Sequence, residues 1–428
     1  MVPFDPTDEH LIPPPGGDPT SPETRRFLLE LARSLHRHGT PAHRLERALT
    51  SAARRLGIRA EFFTTPTSIM VGIGPVEQQH VHLLRVEPGE PNLAQLAELG
   101  DITRLVTEGA LSPAEGLARI DAMDRAPATY APWLVILAFV LSSMAVASFL
   151  KVRVGDLLIA SALGLITGII VLRASRGEAT RHVIAPLAAF VVSTTAFLAD
   201  KLLGTSSGYA TSLAGLVILF PGFTFTIALT ELSTRHLASG TARLSGAMIT
   251  FLGLGFGLAL GVKAGSALGA VLTPVLPLLT GLTSTAALPA WSEGVALLIA
   301  PLAFTVLLNG PPRDAGLIVL ACAAAYLTSK FAGAAMGEEL GAFLGAFVVS
   351  AGSTLLARWR QGVAMVTQVP GLLILVPGSI GFRSVAALLG QEVEAGIMTA
   401  FRLAIIGISL AAGILAGNIV VRSRRVRI

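Results

Sequence analysis

"GLVILFPGFTFTIALTEL", Gly215–Leu232, is apolar enough to lie in a bilayer, yet it carries Pro221 and Gly222, the two poorest helix formers, near its middle. The arrangement returns at Gly371–Leu389 as "GLLILVPGSIGFRSVAALL", with Pro377 and Gly378 in the matching place. Pro221 offers no N–H to the carbonyl of Val217 and its ring collides with that turn, so each segment should kink or unwind at mid-length. Backbone opened in lipid leaves polar groups unpaired at a cost of several kcal/mol each; such breaks survive only inside protein or beside water. If the first helix restarts at Pro221, the amides of Gly222, Phe223 and Thr224 form a positive helix end. Phe220 and its counterpart Val376 cannot cap these ends, which leaves the donors free for a carboxylate.

The whole chain agrees with a bilayer setting. Hydrophobic residues make up 52% of its 428 residues and charged residues 14%, with a mean hydropathy of +0.69, outside the range of an ordinary soluble domain. The net charge of +5 is spread over short basic clusters between apolar runs, a loop pattern and not a nucleic-acid surface. Cys322 is the single cysteine, so no disulfide can form within the chain.

From Ala131 onward ten apolar runs match a hydrocarbon core of about 30 Å: near 131–150, 156–173, 182–202, 209–232, 244–262, 293–309, 314–331, 340–357, 363–389 and 399–421. Residues 265–289 contain three prolines and read as an interfacial or re-entrant loop. With the N-terminal region in the cytoplasm, the inner loops and tail collect Arg173, Arg176, Arg181, Arg235, Arg243, Arg313, Arg358, Arg360, Arg422, Arg424, Arg425 and Arg427. The opposite face has Lys151, Arg153, Lys201, Lys263 and Lys330. This bias predicts both termini inside and an even number of spans.

Aligning the two Pro-Gly sites gives an offset of 156 that brings Gly215, Gly240, Gly257 and Gly261 onto Gly371, Gly396, Gly413 and Gly417, and "AFVVS" occurs at 189–193 and again at 346–350. Two copies of five spans must enter the membrane in opposite senses. The expected fold is therefore an α-helical polytopic membrane protein of ten transmembrane helices in two inverted five-helix repeats, preceded by a small α+β domain. Its expected divisions are a disordered tail (1–20), a cytoplasmic α+β domain (21–127), a first repeat (131–262), an apolar extracytoplasmic loop (263–292), a second repeat (293–421) and a basic cytoplasmic tail (422–428). Small residues every fourth position, Gly253, Gly257 and Gly261 with Ser409, Gly413 and Gly417, let helix backbones approach closely.

Charges within the apolar runs are costly, about 2.5–3.5 kcal/mol each even on insertion scales, and mark candidate site residues. Arg383 follows the second break by less than two turns and could hold a carboxylate bidentately; Arg402 is a second basic candidate. The substrate-binding set is thus Pro221, Gly222, Phe223, Thr224, Pro377, Gly378, Ser379, Arg383 and Arg402, with Asp200 and Glu231 as proton-coupling candidates. Thr194, Thr195 and Thr226 add hydroxyls that often bond their own helix instead.

In the N-terminal region, Ser21 and Pro22 open a helix that ends at Gly39, Thr40 and Pro41 open another that ends at Gly57, strands follow within 58–74 and 80–88, and helices near 92–109 and 113–124 complete an α+β module. It has no nucleophile elbow, phosphate loop or Cys-x-x-Cys. His80 and His82 share a strand face without an acidic or thiol partner and read as surface residues. No catalytic residue, metal ligand or cofactor is assigned, and no enzyme activity is expected. The region also lacks a basic start followed by an apolar cleavable stretch, so no secretory signal is expected.

Several stretches resemble the threonine/serine exporter family: "FLLELARSLHRHGTPAHRLERAL" at Phe27–Leu49, "EFFTTPTSIMV" at Glu61–Val71, "LLRVEPGEPNLAQLAEL" at Leu83–Leu99, "LSPAEGLARID" at Leu111–Asp121 and the two Pro-Gly helices. The resemblance implies a cytoplasmic N-terminal region joined to about ten membrane helices, and proton-driven export of threonine and serine or, in related split proteins, of a small dicarboxylate. It supplies no site residues. The expected partners are a small amino acid or carboxylate, protons and the bilayer, in a bacterial plasma membrane, with a homo-oligomer left open. A non-transporting membrane sensor or scaffold is the expectation from another class.

Overall fold

The computed structural model describes residues 21–87, 89–174, 183–205, 207–274, 286–376, 378–389 and 392–421. The expected tails at 1–20 and 422–428 lie outside these residues.

The N-terminal elements follow the expected order. Helix α1 (Pro22–Arg37) starts where Ser21 Oγ accepts Thr24 N–H at 3.1 Å. Helix α2 (Ala42–Arg55) is followed by the antiparallel strands β1 (Ala60–Thr65), β2 (Ser68–Ile73) and β3 (His80–Arg85), in sheet order β1-β2-β3. Asn92 caps α3 (Leu93–Thr107), and a reciprocal Ser112–Glu115 box starts α4 (Pro113–Arg125). Apolar faces of α1, α2 and α3 meet Ile69, Val71 and Ile73 of β2 in one core. That core does not stop at the bilayer boundary, because Ile318, Cys322, Val363, Val366 and Val369 belong to it.

The membrane part contains α5 (Pro132–Phe149), α6 (Val154–Ala174), α7 (Ile184–Leu203), α8 (Gly208–Leu216), α9 (Gly222–Ser233), α10 (Leu237–Leu272), α11 (Trp291–Leu307), α12 (Ala315–Met336), α13 (Glu338–Arg360), α14 (Met365–Leu373), α15 (Gly378–Leu389) and α16 (Val393–Val420). Among the described residues seven helices are long and apolar enough to cross a membrane, and the bent pair α8–α9 makes eight. The expected count of ten is corrected accordingly. The reason is local: α11 has 17 residues, with Pro301 inside it, and the break before Gly378 leaves α14 and α15 with 9 and 12 residues, neither of which reaches across alone.

A second correction concerns the expected loop. Helix α10 runs on to Leu272, because 265–272 contain no proline and Gly265 and Gly269 continue the small-residue stripe against α7; residues 275–285 lie outside the described set. A Cβ at Gly257 would sit 2.2 Å from the Pro186 carbonyl oxygen, and one at Gly261 1.9 Å from Ser193 Oγ. The same seam recurs between α16 and α13: a Cβ at Gly413 would lie 2.3 Å from the Phe343 carbonyl oxygen, and one at Gly417 2.9 Å from Ser350 Cβ.

These seams predict a position-specific cost. Gly257→Ala forces α10 off the α7 backbone and should destabilise by about 1–3 kcal/mol. Gly246→Ala in the same helix meets open space and should be neutral or slightly stabilising. Thermal unfolding of the two variants in detergent compares them directly.

Candidate functional site

The two breaks meet. Helix α8 ends in a single 3-10 turn, Val217–Leu219, and α9 restarts at Gly222 with Pro221 in the cap position and a bend of 55°. The N–H of Phe225 returns to the Pro221 carbonyl at 2.8 Å, and no side chain caps the earlier amides. A Cβ on Gly222 would lie 2.2 Å from Val376 Cγ1 and 3.3 Å from the amide nitrogen of Gly378; a Cβ on Gly378 would lie 3.1 Å from Phe220 Cβ. Glycine at 222 leaves room for the Val376 side chain, and glycine at 378 for that of Phe220. Phe220 stacks edge-on against Phe382 at 5.4 Å on one side, while Pro221, Phe223 and Thr224 stay partly exposed within the bundle.

These contacts come in exchanged pairs. Gly222 touches Val376 and Gly378 touches Phe220; shifting either pair by 156 positions gives the other. A Cβ at Gly381 would meet Phe251 Cε1 at 2.6 Å, and one at Gly407 would meet Phe225 Cε1 at 2.7 Å, again interchanged by 156. Reciprocity of this kind is what a two-fold relation between surfaces produces.

The remaining candidates separate. Arg383 lines a cavity of about 400 Å³ with Tyr209, Leu213, Phe382 and Glu392. Helix α5 leaves the N-terminal elements at Pro132 and ends at Leu150, which also lines this cavity, so the opening is at the far end of the bundle. Arg402 is not part of it. Its guanidinium pairs with Glu338 at 2.7 Å on the exposed outside of α16 and α13. Asp200 accepts Thr205 Oγ1 and the Ser207 N–H, both at 2.8 Å, which ties it into the turn after α7. Thr194, Thr195 and Thr226 each bond the carbonyl four residues back. Pro377 and the Ser379 side chain lie outside the described set.

Glu231 is fully buried at the opposite end, about two and a half turns after Gly222 on α9. One carboxylate oxygen accepts the Ala42 N–H at 2.9 Å, and the other accepts Ser239 Oγ at 2.9 Å and Arg243 Nε at 3.1 Å. The start of α2, expected to be capped by Thr40, is capped by a membrane helix instead. Beside it Arg44 donates to Gln368 of α14, whose amide nitrogen donates to Ser350 Oγ at 2.9 Å. The amides of Leu93 and Ala94 donate to the carbonyls of Leu308 and Asn309 at 3.0 and 2.9 Å. The N-terminal elements thus sit across the ends of α9, α11 and α14. Sequence reasoning missed this seam together with the buried His36, His38 and His43. Pro41, a cap residue without a side-chain acceptor, was the one local sign.

Residues 26–264 match a family model described as a threonine/serine exporter, and residues 293–420 match a second one described as "Threonine/Serine exporter, ThrE". The chain belongs to the threonine/serine exporter family. Similar curated proteins include "Pheromone-regulated membrane protein 10" of Candida albicans, 28% identical over 376 residues covering 85% of this chain and 33% of that one. The protein of the same name in Yarrowia lipolytica is 26% identical over 84% of this chain and 30% of its own, and that of Eremothecium gossypii is 25% identical over 85% and 49%. The exporter-family chain therefore spans a third to a half of the length of these fungal relatives. No solved structure matches it.

The buried imidazoles give the seam of this exporter-family protein a pH dependence. Burial lowers His43 well below 6.5, helped by Arg44 and Arg47, and burial also lowers His36 and His38. A lowered imidazole favours the folded protein fully above 6.5 and progressively less as pH falls through its depressed value. His236, raised by its hydrogen bond to Glu46, has the opposite sign: its contribution is complete below 6.5 and fades as pH rises through the raised value. Three against one, with His43 the most depressed, predicts a melting temperature that falls between about pH 6.5 and pH 5. His43→Gln should flatten that slope, and thermal unfolding across the range measures it.

Proposed function

We propose that the protein is a secondary active exporter of small hydroxy amino acids, threonine and serine, working by alternating access between two inverted halves. The single observation that carries this reading is the reciprocal crossing of the two broken helices at Gly222 and Gly378. Broken helices meeting at a repeat interface are how secondary transporters build a polar site in mid-bilayer. In this reading the uncapped amides of Gly222, Phe223 and Thr224 and the matching start at Gly378–Ser379 receive the substrate carboxylate. Arg383 draws it from the far opening. The N-terminal elements close the cytoplasmic end, so the conformation is open to the outside, with both termini inside and a bacterial plasma membrane as the setting.

Of the two proton-coupling candidates, Glu231 is favoured over Asp200. It is fully buried, and its removal from Ala42 and Arg243 would accompany opening of the inner end. Arg402 takes part in the ion pair with Glu338 and not in the Arg383 cavity. One basic group at the cavity suits an amino acid better than a dicarboxylate.

Counterflow of labelled L-threonine into liposomes holding the purified full-length protein tests the reading. Accumulation that unlabelled serine abolishes and succinate leaves intact is the expected result. Competition by succinate alone would move the substrate to the dicarboxylate class, and absence of any flux would favour a sensor or scaffold. Within the same assay Gly222→Ala should lose about fivefold or more in rate, since overpacking of this size costs about 1–3 kcal/mol. Gly222→Ala with Val376→Ala, which removes the clashing methyl, should recover most of it.

A further inference from the structure

Helix α2 opens with Pro41 in the cap position, which has no side-chain acceptor. Its first amide nevertheless finds a carboxylate, that of Glu231, supplied by a helix 189 positions later in the chain. A helix start next to a guanidinium, here Arg243, is a strong carboxylate site. The same first turn carries His43, only 5% exposed, with neither ring nitrogen bonded among the described residues. Its ring stands 6.2 Å from that of His236, which faces Glu46 at 3.3 Å. Arg44, Arg47, His236 and Arg243 all act on His43 electrostatically, and burial above all keeps it neutral. A buried imidazole with unused hydrogen-bonding capacity, among groups that bind a carboxylate, calls for a further polar ligand. A neutral imidazole nitrogen can accept from the hydroxyl or ammonium of a small amino acid.

We infer that the first turn of α2, with Arg243 and His43, is the cytoplasmic loading site for the carboxylate of a small hydroxy amino acid, and that Glu231 occupies it in the substrate's place. The ligand's identity rests on the export reading; the site itself rests on the geometry. Loading is then an exchange. The incoming carboxylate takes the Ala42 N–H and Arg243, and Glu231 leaves. Because the Glu231–Ala42 bond joins α9 to the N-terminal elements, substrate arrival loosens the inner closure at the moment the path has to open. The site lies nine residues from Gly222 along α9, about 13 Å from the crossing, so it is separate from the central amides.

Equilibrium binding of labelled L-threonine to the purified full-length protein in detergent tests this without flux. Ala42→Pro removes the one N–H at issue and little else: proline is favoured at a first helical position, and Pro41 already has the extended ψ of 148° that a residue before proline requires. Because Glu231 and threonine share that N–H, its loss cancels in an otherwise wild-type chain and is read with the internal carboxylate removed: Glu231→Ala/Ala42→Pro should bind threonine about tenfold more weakly than Glu231→Ala, the loss of one hydrogen bond to a charged group. Glu231→Gln installs a weaker internal competitor and should tighten threonine binding by about threefold or more. Threoninol, which lacks the carboxylate, should not bind wild type. Equal threonine affinity in Glu231→Ala and Glu231→Ala/Ala42→Pro overturns the proposal; where Glu231→Ala fails to fold, a Glu231→Gln variant that binds threonine no more tightly than wild type overturns it. Should counterflow persist in that case, the export reading stands and only the loading site falls.

Discussion

The fold depends on two missing side chains. At Gly222 and Gly378 two broken helices pass so closely that a methyl on Gly222 would overlap the Val376 side chain and one on Gly378 would press on that of Phe220. Each break also exposes amides that lipid cannot satisfy. The two needs have one solution, which is to place both breaks against each other in the protein interior. Once they are there, α9 must lie along α16 and α15 along α10, because Phe225 is set against Gly407 and Phe251 against Gly381. The rest of the bundle arranges itself around that exchange.

Across the 156-residue offset the packing residues recur and the charged ones do not. The glycines of the α7–α10 and α13–α16 seams keep their register across the 156-residue offset. Glu231, Ser239 and Arg243, by contrast, correspond to Ala387, Ala395 and Thr399, and Arg383 corresponds to Ile227. Packing therefore makes the halves alike while charge makes the two ends of the bundle different. One end carries a carboxylate that grips the N-terminal elements. The other carries a guanidinium beside an opening of about 400 Å³. A symmetric frame with unlike ends is what directional transport requires.

What the sequence disclosed were features written locally. Pro-Gly in an apolar run, small residues at every fourth position and Ser or Asn before a helix each act within a turn or two, so their reading survives without tertiary information. Lengths were harder. The end of α10 was hidden because the three prolines at 274, 277 and 289 made the whole of 265–289 read as loop, although Gly265 and Gly269 are there to admit α7. Contacts between distant segments were invisible. His36, His38 and His43 show no apolar periodicity, and they are buried against distant segments: His36 meets the Thr65 carbonyl of β1, His38 faces Asp124 of α4 and His43 the ring of His236. Arg402 looked like a site residue because a charge in an apolar run is costly, but the cost is met by Glu338 on another helix. Glu231 was legible as an unusual charge and illegible as a helix cap.

The stiffness of the frame bears on how such a protein could move. In the α7–α10 and α13–α16 seams backbone meets backbone over several turns, and interiors packed to that density shift as bodies without shearing. The crossing is different. It is thin, it is flanked by the half-exposed Pro221, Phe223 and Thr224, and α14 and α15 are short helices free to tilt about the break. Motion that leaves the seams whole must therefore turn at the crossing. At the end that carries the N-terminal elements that turn has to part α9 from α2 and α14 from α2, that is, break Glu231–Ala42 and Arg44–Gln368. Both bonds run from the first turn of one short helix. The N-terminal elements thus hold the ends of both broken helices at once, and no rocking of one half can open that end while α2 keeps its grip on the two.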